Sequence, residues 1–228
     1  VDAMVKQPAT YEHCEPELIG NERRFLLSDQ SGGATVAAKL DHLIPDLDKR
    51  HPAVKDLLQR IKQLEHEGYV FEGAEASFEL LIHRMEESYV PPFELVDFMV
   101  VVEKHRRASS LRNGDEVLSE ATVKVRVGRS IIHTAGEGNG PVNALDGALR
   151  KALLQDFPRL EAVHLVDYKV RVVDQASGTG AVVRVLLEST DGTHVWQTVG
   201  ASPNIIEASW EALKDSVEYK ILRDKKNK

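Results

Sequence analysis

At 228 residues, 42% hydrophobic and 29% charged, the chain is long and apolar enough to bury a globular core in one large or two modest domains. Its net charge of −7 excludes nucleic acid as a partner, because following a phosphate backbone needs clustered basic residues. The single cysteine, Cys14, cannot close an internal disulfide and fits a reducing cytoplasm, and the lack of a signal-peptide core or an apolar run of roughly 18 residues predicts neither export nor a membrane partner.

The chain opens Val1-Asp2-Ala3-Met4 and stays polar, proline-broken and poorly periodic to Gly20, which reads as the interior of a longer protein. A short helix is predicted over 34–43, with Val36, Ala37, Leu40 and Leu43 on one side. Pro52, at a favoured first-turn position, opens a second helix whose Val54, Leu57, Leu58, Ile61 and Leu64 fall at helical spacing and which Gly68 stops. A third carries Ala74, Phe78, Leu81, Ile82 and Met85 on one face and ends before Pro91-Pro92. These stripes read as helix packing. The proline pair marks the domain boundary, since two prolines stop a helix and stiffen a connection.

Beyond it the period changes to two. Strands are predicted over 93–103, 117–127 and 130–135, with an Asn-Gly turn signal at Asn113-Gly114. Gly136-Glu137-Gly138-Asn139-Gly140-Pro141 leads into a helix with Val142, Leu145, Leu149, Ala152 and Leu153 inward, ended by Phe157-Pro158. The order then repeats: strands over 163–173, 181–188 and 194–199, then a helix with Ser202 as N-cap, Pro203 at its first position and Ile205, Ile206, Ser209, Trp210, Leu213 and Val217 as the buried stripe. The repeat is visible directly, because ELVDFMVVV at 94–102 is answered by HLVDYKVRV at 164–172. The fold class is therefore α+β: a helical subdomain over 34–90 after a linker over 1–33, then a duplicated βββα domain over 91–228 with helices covering one face of each sheet.

The three glycines of 136–140 let backbone amides approach a ligand, and the helix start that follows favours a carboxylate or phosphate; a tight strand-to-helix turn explains the same residues. It is not a dinucleotide fingerprint, since the spacing is wrong and no βαβ unit follows. Gly178-Thr179-Gly180 reads as a hairpin turn. The nine histidines make no H-x-H or H-E-x-x-H pair, so no metal site is predicted. Ser77 and Ser209 lack a nucleophile-elbow pattern. His105-Arg106-Arg107 and the basic tail from Arg223 read as solvated surface. No catalytic constellation emerges.

The stretch Glu67-Gly68-Tyr69-Val70-Phe71-Glu72-Gly73-Ala74-Glu75-Ala76-Ser77-Phe78 resembles a segment of the citramalate synthase branch of the isopropylmalate/homocitrate synthase family. Tyr11-Glu12-His13 and Ser28-Asp29-Gln30-Ser31-Gly32-Gly33 resemble the linker that follows that family's catalytic barrel. Gly136 to Pro141 and Val199-Gly200-Ala201-Ser202-Pro203 resemble the helix entries of its regulatory domain.

The resemblance implies a C-terminal fragment without the barrel, inactive alone and with no cofactor of its own. The parent would be an acyltransferase condensing acetyl-CoA with pyruvate or a related 2-oxo acid, using a divalent metal. It also implies a homodimer that contacts its own barrel, with the linker reaching the partner subunit's active site, so that Tyr11 and Glu12 would assist catalysis in trans. Asp29-Gln30-Ser31-Gly32 stands where relatives often have Lys-His-Ser-Gly, so no histidine role carries over. The implied effector is a branched-chain amino acid, isoleucine on a citramalate synthase or leucine on an isopropylmalate synthase. Its site would comprise Gly138, Ala144 and Leu145, then Leu165, Tyr168 and Val172, then Thr179 and Val183, with Pro203 and Ile205 at the second helix entry. A non-sensing dimerisation scaffold is the rival reading.

Overall fold

The computed structural model describes residues 18, 20, 52–104, 117–173 and 175–226. Tyr11, Glu12, Cys14, the predicted helix over 34–43, the basic run at 105–107 and the Asn-Gly turn lie outside the described residues. The chain divides into two compact units, Val1–Gly73 and Ala74–Lys228. In the first, helix α1 (Pro52–His66) buries Leu57, Ile61 and Leu64. Gly68 ends it at φ 105°: its amide donates to Glu65 O at 3.1 Å and the Tyr69 amide to Leu64 O at 2.9 Å, the paired bonds that satisfy a helix's last carbonyls.

The second unit opens with α2 (Glu75–His83), which buries Ala76, Ser77, Phe78, Leu80 and Ile82. The predicted stripe is corrected here, because Met85 lies past the helix end and is exposed, and Leu80 points inward instead. The division at Gly73/Ala74 also precedes Pro91-Pro92, because α2 packs on elements of the second unit.

Six strands follow in two antiparallel three-stranded sheets, ordered β1-β2-β3 and β4-β5-β6. The first comprises β1 (Glu94–Lys104), β2 (Val117–Val127) and β3 (Ser130–Gly138) and is covered by α3 (Pro141–Leu153). A short 3-10 helix (Pro158–Ala162) leads to the second sheet, with β4 (His164–Val172), a 3-10 segment (Gln175–Gly180), β5 (Val183–Thr190) and β6 (Val195–Ser202), covered by α4 (Ile205–Lys226). The duplication extends to detail: β1 and β4 each shift register between matching residues, Leu95/Asp97 and Leu165/Asp167. Among the described residues no helix is long and apolar enough to cross a membrane.

Both sheets meet their helices through one device. Thr134 Oγ1 donates to Ala148 O at 2.7 Å and Thr198 Oγ1 to Ala212 O at 2.8 Å. Two residues after each threonine a glycine lets the helix backbone close in: a Cβ on Gly136 would lie 2.6 Å from Ala148 N, and one on Gly200 2.0 Å from Ala208 O. The predicted loop at 136–138 is thus the last part of β3, whose glycines carry the helix rather than a turn. Gly147 contrasts with them, being an exposed α3 residue whose added Cβ would meet nothing within 4 Å. Gly147→Ala should therefore raise stability in a urea titration by about 0.5–1 kcal/mol, since only the glycine's backbone entropy is at issue.

The second helix entry is corrected in register. Asn204, not Ser202, caps α4, accepting the Ile206 amide on Oδ1 at 2.9 Å, while Ser202 Oγ accepts the Asn204 amide at 3.0 Å and donates to Glu207 at 2.6 Å. Pro203 therefore precedes the cap, and Ile205, the first helical residue, is exposed rather than buried.

Candidate functional site

The helix-facing side of each sheet follows from register. On the second sheet Tyr168, Val170 and Val172 stand opposite Leu187, Val185 and Val183, which stand opposite Thr198, Gly200 and Ser202. On the first, Phe98, Val100 and Val102 stand opposite Val123, Ala121 and Ser119, then Thr134, Gly136 and Gly138. Each helix packs chiefly on the strands away from β1 and β4, so the apolar ends of those two strands are left open. Val102 is 56%, Val172 52% and Val170 39% exposed although all three face the helix side.

Two aromatic residues carry this surface into the core. The Phe98 ring stacks on Trp210 of α4 with centroids 5.5 Å apart. Tyr168, at the matching place on β4, has its hydroxyl 2.9 Å from Ser209 Oγ. Ser209 already donates to Ile205 O at 2.6 Å, which leaves Tyr168 as the donor to Ser209. A third polar group is unpaired: Ser119 Oγ is fully buried and has no hydrogen-bond partner among the described residues.

The helix starts differ in charge. The first turn of α4 has a side-chain cap from Asn204 and carries Glu207. That of α3 has glycine as N-cap, proline next, no side-chain cap and no acidic residue. The positive end of a helix dipole is thus left uncompensated at α3. Ser119 pairs in register with Gly138, where an added Cβ would lie 2.6 Å from Ala144 N of that first turn. A buried hydroxyl and an uncapped helix start therefore share one corner, beside exposed Val102.

The residues singled out from sequence fall into recognisable groups. Gly138 and Ala144 touch through backbone, and Ala144 and Leu145 are fully buried. Val172 and Val183 are opposite neighbours, and Tyr168 meets Ile205's turn through Ser209. Leu165 sits at the other end of β4, Pro203 is exposed before the cap, and Thr179 is exposed on the 3-10 segment. Phe98, Ser119 and Trp210 were not singled out for the site. The match of Phe98 to Tyr168 in the repeat was the available signal for the first, and no sequence pattern marked Ser119. Among the described residues no group of three or more His, Cys, Asp or Glu side chains is placed to hold a metal ion.

Residues 72–221 match the model of the LeuA allosteric (dimerisation) domain. The chain belongs to that family. Residues 1–69 match a second model, the homocitrate synthase post-HMGL domain-like region, so the LeuA-type domain starts beside the break at Gly73/Ala74. The chain is 49% identical over 221 residues to an (R)-citramalate synthase of Geobacter sulfurreducens, covering 97% of this chain and 41% of the relative. It is 48% identical to that of Aquifex aeolicus (97% and 41%) and 44% identical to that of Synechocystis (96% and 40%). The chain thus spans about two fifths of the length of these relatives. LeuA-type membership supports homodimer formation.

Proposed function

We propose that this chain is the regulatory, amino-acid-sensing part of an (R)-citramalate synthase, and that its ligand is isoleucine acting as a feedback inhibitor. The observation that carries this is the corner at Ser119. The uncapped α3 start and the free hydroxyl suit a carboxylate, and exposed Val102 beside them suits a branched side chain. Burying Val102 against a second copy would close this corner, so that dimer and ligand site would share one surface.

The parent would condense acetyl-CoA with pyruvate using a divalent metal. The described residues offer no set of ligands for that ion, and no step of the condensation is assigned to them. Burial of Ala144 and Leu145 in the core favours the rival scaffold reading to the extent that they are structural.

Calorimetric titration with L-isoleucine, L-leucine and L-valine tests the proposal. Isoleucine should bind saturably and most tightly, although shape alone separates these side chains by only about 1–3 kcal/mol. Ser119→Ala should weaken binding by about tenfold, the usual worth of one hydrogen bond to a charged group, and Tyr168→Ala should abolish it. No heat from any of the three with a folded dimer would favour the scaffold, and tighter leucine binding an isopropylmalate synthase origin.

A further inference from the structure

Helix α2 stands in an unusual relation to the duplicated sheets. The chain enters it directly from the upstream unit at Gly73 and leaves it toward β1 of the first sheet, yet its packing partners are β6 and α4 of the second. The open edge of β6 is where it lies. Ser77 Oγ accepts the Val199 amide at 3.0 Å, standing in for a missing neighbour strand, and donates to Asp215 Oδ2 at 2.7 Å. An edge strand left uncovered would present unpaired backbone groups.

At the C-terminal end of α2 the hold is ionic. Arg84 Nη2 reaches Asp215 Oδ1 at 2.6 Å and Glu218 Oε2 at 2.8 Å, and its Nε reaches Glu218 Oε1 at 3.1 Å. Tyr89 also donates to Glu218. Both carboxylates are buried on α4. Among the described residues both form their ion pairs with this guanidinium, and like charges so close in a dry site need it.

The same helix carries the other end of the path. Ser209 and Trp210 meet Tyr168 and Phe98, and Asp215 lies about 9 Å farther along the axis at 1.5 Å rise per residue. From these contacts we infer that α2 is a coupling strap: the upstream chain is tied to the second sheet and α4 through Ser77 and Arg84, and α4 relays the state of its Tyr168 and Phe98 contacts to that tie. The ligand-dependent half of this inference rests on the sensor reading above; the mechanical half does not.

Hydrogen exchange by mass spectrometry on the 228-residue chain separates the two. In the ligand-free protein, Tyr168→Phe breaks the bond to Ser209 at the pocket end. Exchange over α2 should then quicken by about fivefold or more, within the usual range of coupling between sites, while β2 and β3 stay unchanged. Unaltered α2 exchange in this variant would overturn the relay, whatever binds. In wild type, saturating isoleucine should slow α2 exchange by a similar factor. Ser77→Ala, a smaller change than losing Arg84, should abolish that protection while leaving the binding heat in place. Binding heat with no α2 protection would overturn the strap alone. No heat at all would overturn the sensor reading and leave the Tyr168→Phe comparison to decide the strap.

Discussion

Arg84→Met should destabilise the Ala74–Lys228 unit by about 3–5 kcal/mol, the cost of leaving buried charges without their partner. Chemical denaturation followed by tryptophan fluorescence reads this directly, because both tryptophans, Trp196 and Trp210, lie in the unit. The pH dependence distinguishes the mechanism from simple loss of packing. Burial raises the Asp215 carboxyl, with the Arg84 guanidinium pulling it back down. Burial lowers Arg84, but ionised Asp215 and Glu218 raise it on balance. A carboxyl raised on folding binds protons more readily in the folded state, so its contribution is present below the unfolded value and lost as pH rises through the raised one.

Without Arg84 the opposing cation is gone, and the window in which stability falls with pH extends upward. The deficit of Arg84→Met relative to wild type should be smaller at about pH 5 than at about pH 8. Adding Asp215→Asn and Glu218→Gln should recover part of the loss at neutral pH. Equal deficits at both pH values, with no recovery, would mean that the guanidinium acts only as packing.

Much of this architecture was legible because the duplication is. The match of 94–102 to 164–172 locates β1 and β4, and the structure adds their matching register shifts. What went unread was set by contacts distant in sequence. Pro203 looked like a helix start because proline favours that position, yet Asn204 caps the Ile206 amide and Ser202 is engaged with Glu207. The glycines at 136 and 138 looked like a loop because glycine usually marks one. Their use as strand residues shows only beside the helix they admit, although Thr-x-Gly followed by Ala-x-x-x-Ala recurs at one constant spacing (Thr134, Gly136, Ala144, Ala148; Thr198, Gly200, Ala208, Ala212). Ser77 and Arg84 gave no signal at all, since their partners Asp215 and Glu218 stand far along the chain. The proposed site divides in the same way: Tyr168 enters through the family resemblance, whereas the unpaired state of Ser119 is a fact of packing.

The glycine device predicts a graded series. A Cβ on Gly200 would lie 2.0 Å from Ala208 O and 2.9 Å from Ala212 N, one on Gly136 2.6 Å from Ala148 N and 2.8 Å from Ala144 O, and one on Gly140 would meet nothing within 4 Å. At the first two every clash is with helix backbone, so no side chain can swing away and the helix itself must lift from its strand. Overpacking of this kind costs about 1–3 kcal/mol and occasionally more. Gly200→Ala should sit at or above the top of that range, Gly136→Ala within it, and Gly140→Ala near zero by urea titration. Gly200→Ala carries a second consequence, because lifting α4 from β6 strains the bond from Thr198 to Ala212 O and draws Ser209 from Tyr168. Gly136→Ala lifts α3 instead, whose start is the proposed carboxylate seat beside Ser119, so both variants should lose isoleucine affinity at matched folded fractions. Loss in Gly200→Ala alone would place the ligand's main contacts at Tyr168, away from the Ser119 corner.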